Sequence, residues 1–385
     1  MKILRSRRMV GHIVARLCGI ADLPLHSGSA PPWLFRRMRM LGGSIAELLL
    51  KEFGQKEALR RLTDPFWFQC ASCVLGFDWH SSGTTTVTLA ALRAGMDERG
   101  LPLHIFGGKG KYATSVKQQI SASDSEYAVA NSDVLLRKSR EAARVDTVAL
   151  QDGYDLYHHS IIFDEGGNWA VIQQGMNDGT HYARRYHWSS DELRSMVVEP
   201  HAAILGTPGS GILNLTAADA SEARDAIMDF ITDDRAGKLP QIVLSTGRAQ
   251  RTLDEFSVSA VRMLKMDTTA GWRRLTENFR RIANAVPDSF EDLIMMEGVG
   301  RKTVLALAMA SNLVYGAESN WRDPVKYSFA VGGKDGIPYP VDTRRMERMS
   351  ELLDQAVRET EIGGEERRRA LGRLSRFFDT ALMSF

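Results

Sequence analysis

The sequence predicts an α+β protein: an N-terminal α+β part holding a small antiparallel sheet, followed by an all-α C-terminal part. Three observations carry this expectation. The runs YHHSIIF and WAVIQQG flank DEGGN, two β-rich stretches around a Gly-Gly turn, which is a hairpin signal. After residue 250 the apolar residues recur at helical spacing instead. All nine histidines, from His12 to His201, lie in the first 201 residues, so the two parts carry different chemistry.

Taken in order, residues 1–18 form a basic extension, 19–235 the His-rich α+β part, and 250–385 the helical part, with the boundary in the turn-rich segment TDDRAGKLPQIVLSTGRAQ. Leu48 to Leu62 and Thr86 to Met96 read as helices. HYARRYHW, at 181–188, adds a third antiparallel strand to the hairpin. Thr216 to Ile231 reads as an Ala-rich helix opened by a threonine cap. Trp272, Leu275, Phe279 and Ile282 share one helix face, and Arg273, Arg274, Arg280 and Arg281 occupy the other. Asp288 or Ser289 caps the helix Phe290 to Met296; EGVG breaks it, and Arg301 to Val314 forms the next. MERMSELLDQAVRET and EERRRALGRLSRFFDTAL complete the helical part.

The composition is that of a globular chain: 385 residues, 44% hydrophobic and 25% charged. The net charge is only +2, so any polyanion must be held by local patches or backbone amides. Three cysteines, Cys18, Cys70 and Cys73, form no disulfide framework and point to a reducing compartment, the cytoplasm. Cys70-Ala-Ser-Cys73 has no second pair to complete a four-ligand zinc site, and an iron-sulfur cluster is not expected either. GTPGSG at 206–211 is not followed by the Lys-Ser/Thr that a P-loop requires.

The most specific string is Gly298-Val299-Gly300-Arg301-Lys302-Thr303, the hairpin of a helix-hairpin-helix element. A helix starting at Gly300 leaves its first amides without intrahelical partners and carries partial positive charge there, which attracts phosphate. DNA is therefore the expected partner, with RNA as an alternative. A second candidate site lies in the first part: Asp78 and His80 in FDWHSSGTTT, Lys109 in GGKGK, and Asp152, His158, His159, Gln173 and His187 on or beside the strands. Strand alternation places His158 with Ser160 and Ile162 on one face, and His159 with Ile161 and Phe163 on the other. Such a group forms either an internal hydrogen-bond network or a divalent-metal site for phosphodiester hydrolysis.

Two resemblances follow from these strings. GVGRKT with the later VDT is similar to the helix-hairpin-helix DNA glycosylases of the endonuclease III type. That resemblance implies that Lys302 is the amine attacking the anomeric carbon and Asp342 the carboxylate that assists. The segment between Lys302 and Asp342 is longer than in those glycosylases, and the cluster cysteines are lacking. The strings DPFWFQ, GFDWHSSGTTT, GGKGK, VALQDGYDLYHH, WAVIQQGMN, YARRYHW and FAVGGKDGIPYPVD together resemble the family called domain of unknown function 763, from about residue 19 onward. Its name implies no activity. The expected function is a nucleic-acid-processing protein, a DNA-repair glycosylase or abasic-site lyase; the alternatives are a metal-dependent nuclease with its site in the first part and a non-catalytic DNA or RNA binder.

Overall fold

Strands β1 (Leu103–Lys109), β3 (Asp155–Asp164), β4 (Trp169–Asn177), β5 (Tyr182–Ser189) and β6 (His201–Leu205) form one antiparallel sheet in the order β1-β3-β4-β5-β6. This is the α+β architecture read from the sequence, described in a computed structural model over residues 23–25, 30–76, 82–123, 125–233 and 269–325, with Gln355, Arg358, Gly364 and Glu365 beyond them. The basic extension, Asp78, His80, Asp342 and most of both C-terminal helical strings lie outside the described residues. No helix among those residues is long and apolar enough to cross a membrane.

The sheet is covered on both faces. Helices α1 (Pro32–Thr63), α2 (Pro65–Leu75) and α3 (Gly83–Arg99) pack against Ile105, Ile162, Ala170 and Ile172. On the other face, Phe106, Ile161, Phe163, Val171, Tyr186 and Trp188 join α4 (Val116–Ser121), α5 (Glu126–Ala130) and α6 (Ser132–Arg144). The sheet therefore buries alternate residues in two different cores, as the period of two requires. The hairpin expectation holds: Asp164 accepts from the amides of Gly166 and Asn168, each at 2.9 Å, and so shapes the Gly-Gly turn. Leu156 faces Gly175 and His158 faces Gln174, which leaves Tyr157 as an unpaired bulge residue.

A π-helical turn, Val145–Ala149, continues α6 into β2 (Leu150–Gln151), which pairs with β7 (Leu213–Asn214). The helix expected from Thr216 begins later, as α7 (Ser221–Thr232), because Thr216 spends its hydroxyl on Asn214 Oδ1 (2.6 Å) instead of capping. Helices α8 (Thr269–Ala285), α9 (Phe290–Met295) and α10 (Arg301–Tyr315) follow the sequence reading closely. Ser289 is the cap of α9, accepting from the Asp292 amide at 3.1 Å. Leu275, Phe279 and Ile282 are buried, and Arg273, Arg274, Arg280 and Arg281 are exposed.

These three helices belong to the same apolar core as one sheet face, which runs without a break from Phe106 to Ala310. The chain then turns back across the first part. Asn320 O accepts from the Asn214 amide at 2.9 Å, and Asp323 pairs with Arg184 NH2 at 2.7 Å. The described stretch after α10, through residue 325, thus straps the helical part onto β5 and β7. Because Phe279 is only 1% exposed within the shared core, Phe279→Ala is expected to cost about 3–5 kcal/mol. A urea titration checks this: the midpoint falls, while Arg280→Ala on the exposed face leaves it nearly unchanged.

Candidate functional site

Helix ends leave carbonyl and amide groups without partners, and the hairpin between α9 and α10 meets that demand through two arginines that cross between the parts of the chain. Arg144, the last residue of α6, donates from Nε to Ile294 O at 2.6 Å and from NH2 to Met296 O at 3.5 Å and to Val299 O. It thereby places a cation at the C-terminal end of α9, the favourable end of the dipole. Burial, followed by the charge of nearby Arg140, pushes the pKa of Arg144 down. Arg301, the first residue of α10, reaches the opposite way. Its Nε donates to Thr147 O at 2.8 Å, its NH1 bonds Asp155 Oδ1 at 2.5 Å, and its NH2 donates to Tyr154 O. Gln151 adds a bond from Nε2 to Arg301 O at 2.9 Å.

The two hairpin glycines have separate reasons. Gly298 has φ +83°, and a Cβ there would lie 2.6 Å from Asn278 Oδ1. Asn278, on α8, donates to Gly298 O at 2.6 Å, so the turn is pinned against the helix that precedes it. Gly300 has φ −123°, an extended value open to any residue, and a Cβ would meet nothing within 4 Å. Its position is open space at the start of α10, where no side chain caps the helix. Val299 is 1% exposed and anchors the hairpin in the core, and Thr303 is 2% exposed, 3.3 Å from Asn278 Nδ2.

The result is an open groove of about 620 Å³, walled by Arg144, Thr147, Asp155 and Leu156 on one side and by Arg274, Asn278 and the hairpin on the other. Lys302 lines it and is exposed, as is Arg274. Of the hairpin residues expected to touch a backbone, Gly298, Gly300, Arg301, Lys302 and Thr303 all line the groove. The Arg301 guanidinium, however, is committed to protein carbonyls and to Asp155. Asp342 lies outside the described residues, so its relation to Lys302 is not described. Sequence reading missed Arg144, Thr147, Asp155 and Asn278. Asn278 had a signal, since it follows the exposed Arg274 by one helical turn; Arg144 had none, with its partners 150 residues away.

The second candidate group is drawn into two buried networks, one on each sheet face. Facing α6, Ser139 Oγ lies 2.7 Å from His159 Nε2, and His159 Nδ1 lies 2.9 Å from Gln173 Oε1. Gln173 Nε2 donates to Asp146 Oδ2, which also accepts from Trp188 Nε1 at 2.9 Å, and His201 Nε2 closes the chain on Asp146 Oδ1. Asp152 accepts from Arg184 NH1 (3.1 Å) and from the Tyr186 hydroxyl (2.6 Å). Burial pushes the Asp152 carboxyl up, opposed by Arg184. On the other face His158 Nε2 meets Ser160 Oγ at 3.0 Å, and His187 Nδ1 donates to Thr63 O at 2.7 Å. Lys109 Nζ lies 5.8 Å from the Tyr157 ring centre. Among the described residues, no three His, Cys, Asp or Glu side chains gather to hold a metal ion. Asp78 and His80 lie outside those residues.

A family model described as "Protein of unknown function (DUF763)" matches residues 19–341. Comparison with curated proteins and with solved structures gives no match.

Two outcomes follow from this geometry. Arg144→Gln leaves the carbonyls at the end of α9 without a donor, at a cost of about 2 kcal/mol, and hydrogen exchange should speed up in α9 and the start of α10 before it does in β4. The buried histidines fix the pH response. Burial, then the charges of His159 and Lys109, lower His158 from 6.5 to about 3; burial first also lowers His159 and His187. The folded state then refuses protons that the unfolded chain takes up, so stability is full above pH 6.5 and is lost as pH falls below it, for His158 down toward 3 and by up to about 1.4 kcal/mol per pH unit. Melting temperatures measured from pH 7.5 to 4.5 check this, and His158→Gln should flatten the slope.

Proposed function

The chain belongs to the DUF763 family of proteins of unknown function, and from the hairpin groove we propose that it grips a DNA backbone and acts there as a repair enzyme, a glycosylase or abasic-site lyase. One observation carries the reading: the amide end of α10 opens, uncapped by any side chain, into a groove that exposed Arg274 and Lys302 share. Amides at a helix start, a positive dipole end and two cationic side chains together suit a phosphate oxygen. The exposed arginines of α8 extend the positive charge beyond a single phosphate, as a polyanion requires. With a net charge of only +2, this is a local patch on a nearly neutral chain.

The lyase step fits the amine of Lys302 at the groove wall. At an abasic site the amine adds to the C1′ aldehyde, water leaves, and an imine forms between Nζ and C1′. Loss of a C2′ proton to solvent then expels the 3′ phosphate and cleaves the strand. In a glycosylase step the same amine attacks C1′ as the base departs with the bonding electrons; Asp342 is assigned the stabilisation of positive charge there. The metal-nuclease alternative has less support, because Asp152, His158, His159, Gln173 and His187 are hydrogen-bonded within the protein.

Borohydride trapping on an oligonucleotide with one abasic site tests the chemistry: a covalent adduct is expected with the native chain and none with Lys302→Gln. Absence of an adduct from the native chain, or its persistence in the variant, removes the lysine from the mechanism. The grip has a separate test in Gly300→Asp. The side chain has room, and aspartate is a good helix cap, so thermal stability should hold or rise. The carboxylate would nonetheless occupy the phosphate position and weaken DNA binding by about tenfold or more, the equivalent of roughly 1.4 kcal/mol. Unchanged affinity in that variant overturns the grip.

A further inference from the structure

Two consecutive arginines of β5 are treated in opposite ways. Arg184 and Arg185 are both 0% exposed, and strand alternation sends them to opposite faces of the sheet. Arg184 is balanced by two carboxylates, those of Asp152 and Asp323. Arg185 pairs with none among the described residues. Its NH1 donates to Thr85 Oγ1 at 3.2 Å and its NH2 to Gln69 Oε1 at 2.9 Å, its guanidinium lies 4.7 Å from the centre of the Phe68 ring, and its Nε has no partner. These three neighbours are all neutral. An arginine does not shed its proton, and a buried cation without a counter-charge is costly. His187, two residues along the same face, feels that charge: burial, then Arg185, push its pKa well down.

The helix end beside Arg185 adds positive potential instead of removing it. Helix α3 is 17 residues long, has no acidic residue in its first turn and receives no side-chain cap from Ser82. The positive end of its dipole is thus uncompensated by those groups. Gln174, directly opposite Arg185 on β4, fixes this end to the sheet. Its Nε2 donates to Ser82 O at 2.8 Å, and its Oε1 accepts from the same Thr85 hydroxyl that Arg185 reaches. Cation and helix start are therefore held together by bonds on both sides, which is the preorganisation that an anion site needs.

We propose that Arg185 is the centre of a buried binding site for a phosphate-type oxyanion, enclosed by β5, α2 and the start of α3. The anion bonds the guanidinium through Nε and sits in the positive field of α3. This site is separate from the hairpin groove and does not rest on the reading of that groove. Because no part of Arg185 reaches solvent, the anion enters only as the covering side chains part, so association is slower than at an open site.

The experiment uses the full chain freed of phosphate, with inorganic phosphate and acetate as probes at equal ionic strength. Millimolar phosphate should raise the melting temperature saturably, by about 2 °C or more, and acetate should raise it less. Arg185→Met, which keeps the apolar stem and removes the charge, should abolish the response. Gln69→Glu covers the case in which that variant does not fold. It puts a carboxylate where Gln69 Oε1 meets Arg185, so it should melt above the native chain without phosphate and gain nothing when phosphate is added. The response should persist in Gly300→Asp, which separates it from phosphate held at the hairpin. No saturable rise in the native chain, a rise that survives in Arg185→Met or Gln69→Glu or vanishes in Gly300→Asp, or a larger rise with acetate overturns the site.

Discussion

The exchange of arginines between two helix ends is the constraint on which the rest of this molecule depends. A hairpin of two short helices has more unpaired backbone groups than it can satisfy itself. Here Arg144 supplies donors to the carbonyls closing α9, and Arg301 returns the favour to Thr147 and Tyr154. Each arginine is the end residue of its own helix, so neither bond set forms unless both helices end where they do. The groove is the space these bonds leave between α8, the hairpin and the start of β3. A hairpin free of this clasp would present the same amides without a second wall.

The π-helical turn after α6 belongs to that arrangement. It delivers Thr147 O to Arg301 and, one residue earlier, buries Asp146 beneath the sheet, where Gln173, Trp188 and His201 converge on it. A rigid polar network thus sits directly behind the groove wall. Burial lowers the pKa of His159 within it, consistent with a structural load rather than proton transfer. Arg184 performs a similar task at the far end, binding Asp152 of the first part and Asp323 of the returning chain at once. Buried charges placed this way cost stability unless all partners are present, so they favour one relative placement of the segments.

That division changes what the polar half of the chain means. Density of His, Gln and Asp on a small sheet reads equally as a metal centre or as internal bonding. Strand alternation sends His159 and Gln173 to one core and His158 and His187 to the other, so the group does not meet on a single face. The open groove lies instead at the hairpin, between Arg144, Thr147 and Asp155 on one side and Arg274, Asn278 and Lys302 on the other.

Local rules determined what short-range geometry can fix. Two β-rich runs about Gly-Gly gave β3 and β4, alternation gave the faces of His158 and His159, Ser289 gave the cap of α9, and the spacing of Leu275, Phe279 and Ile282 gave the buried side of α8. The hairpin string likewise placed the start of α10 at Arg301. Strands β1 and β6, helix α2 and the later start of α7 escaped, since each depends on a partner distant in the chain or on a competing bond such as Thr216 to Asn214. Only the tertiary structure could assign Arg301 to protein carbonyls rather than to phosphate, and reveal Arg144 across 150 residues. Sequence spacing sets which side of an element a residue occupies; which other element meets that side is decided by packing, and a site made of several elements is a property of the packing.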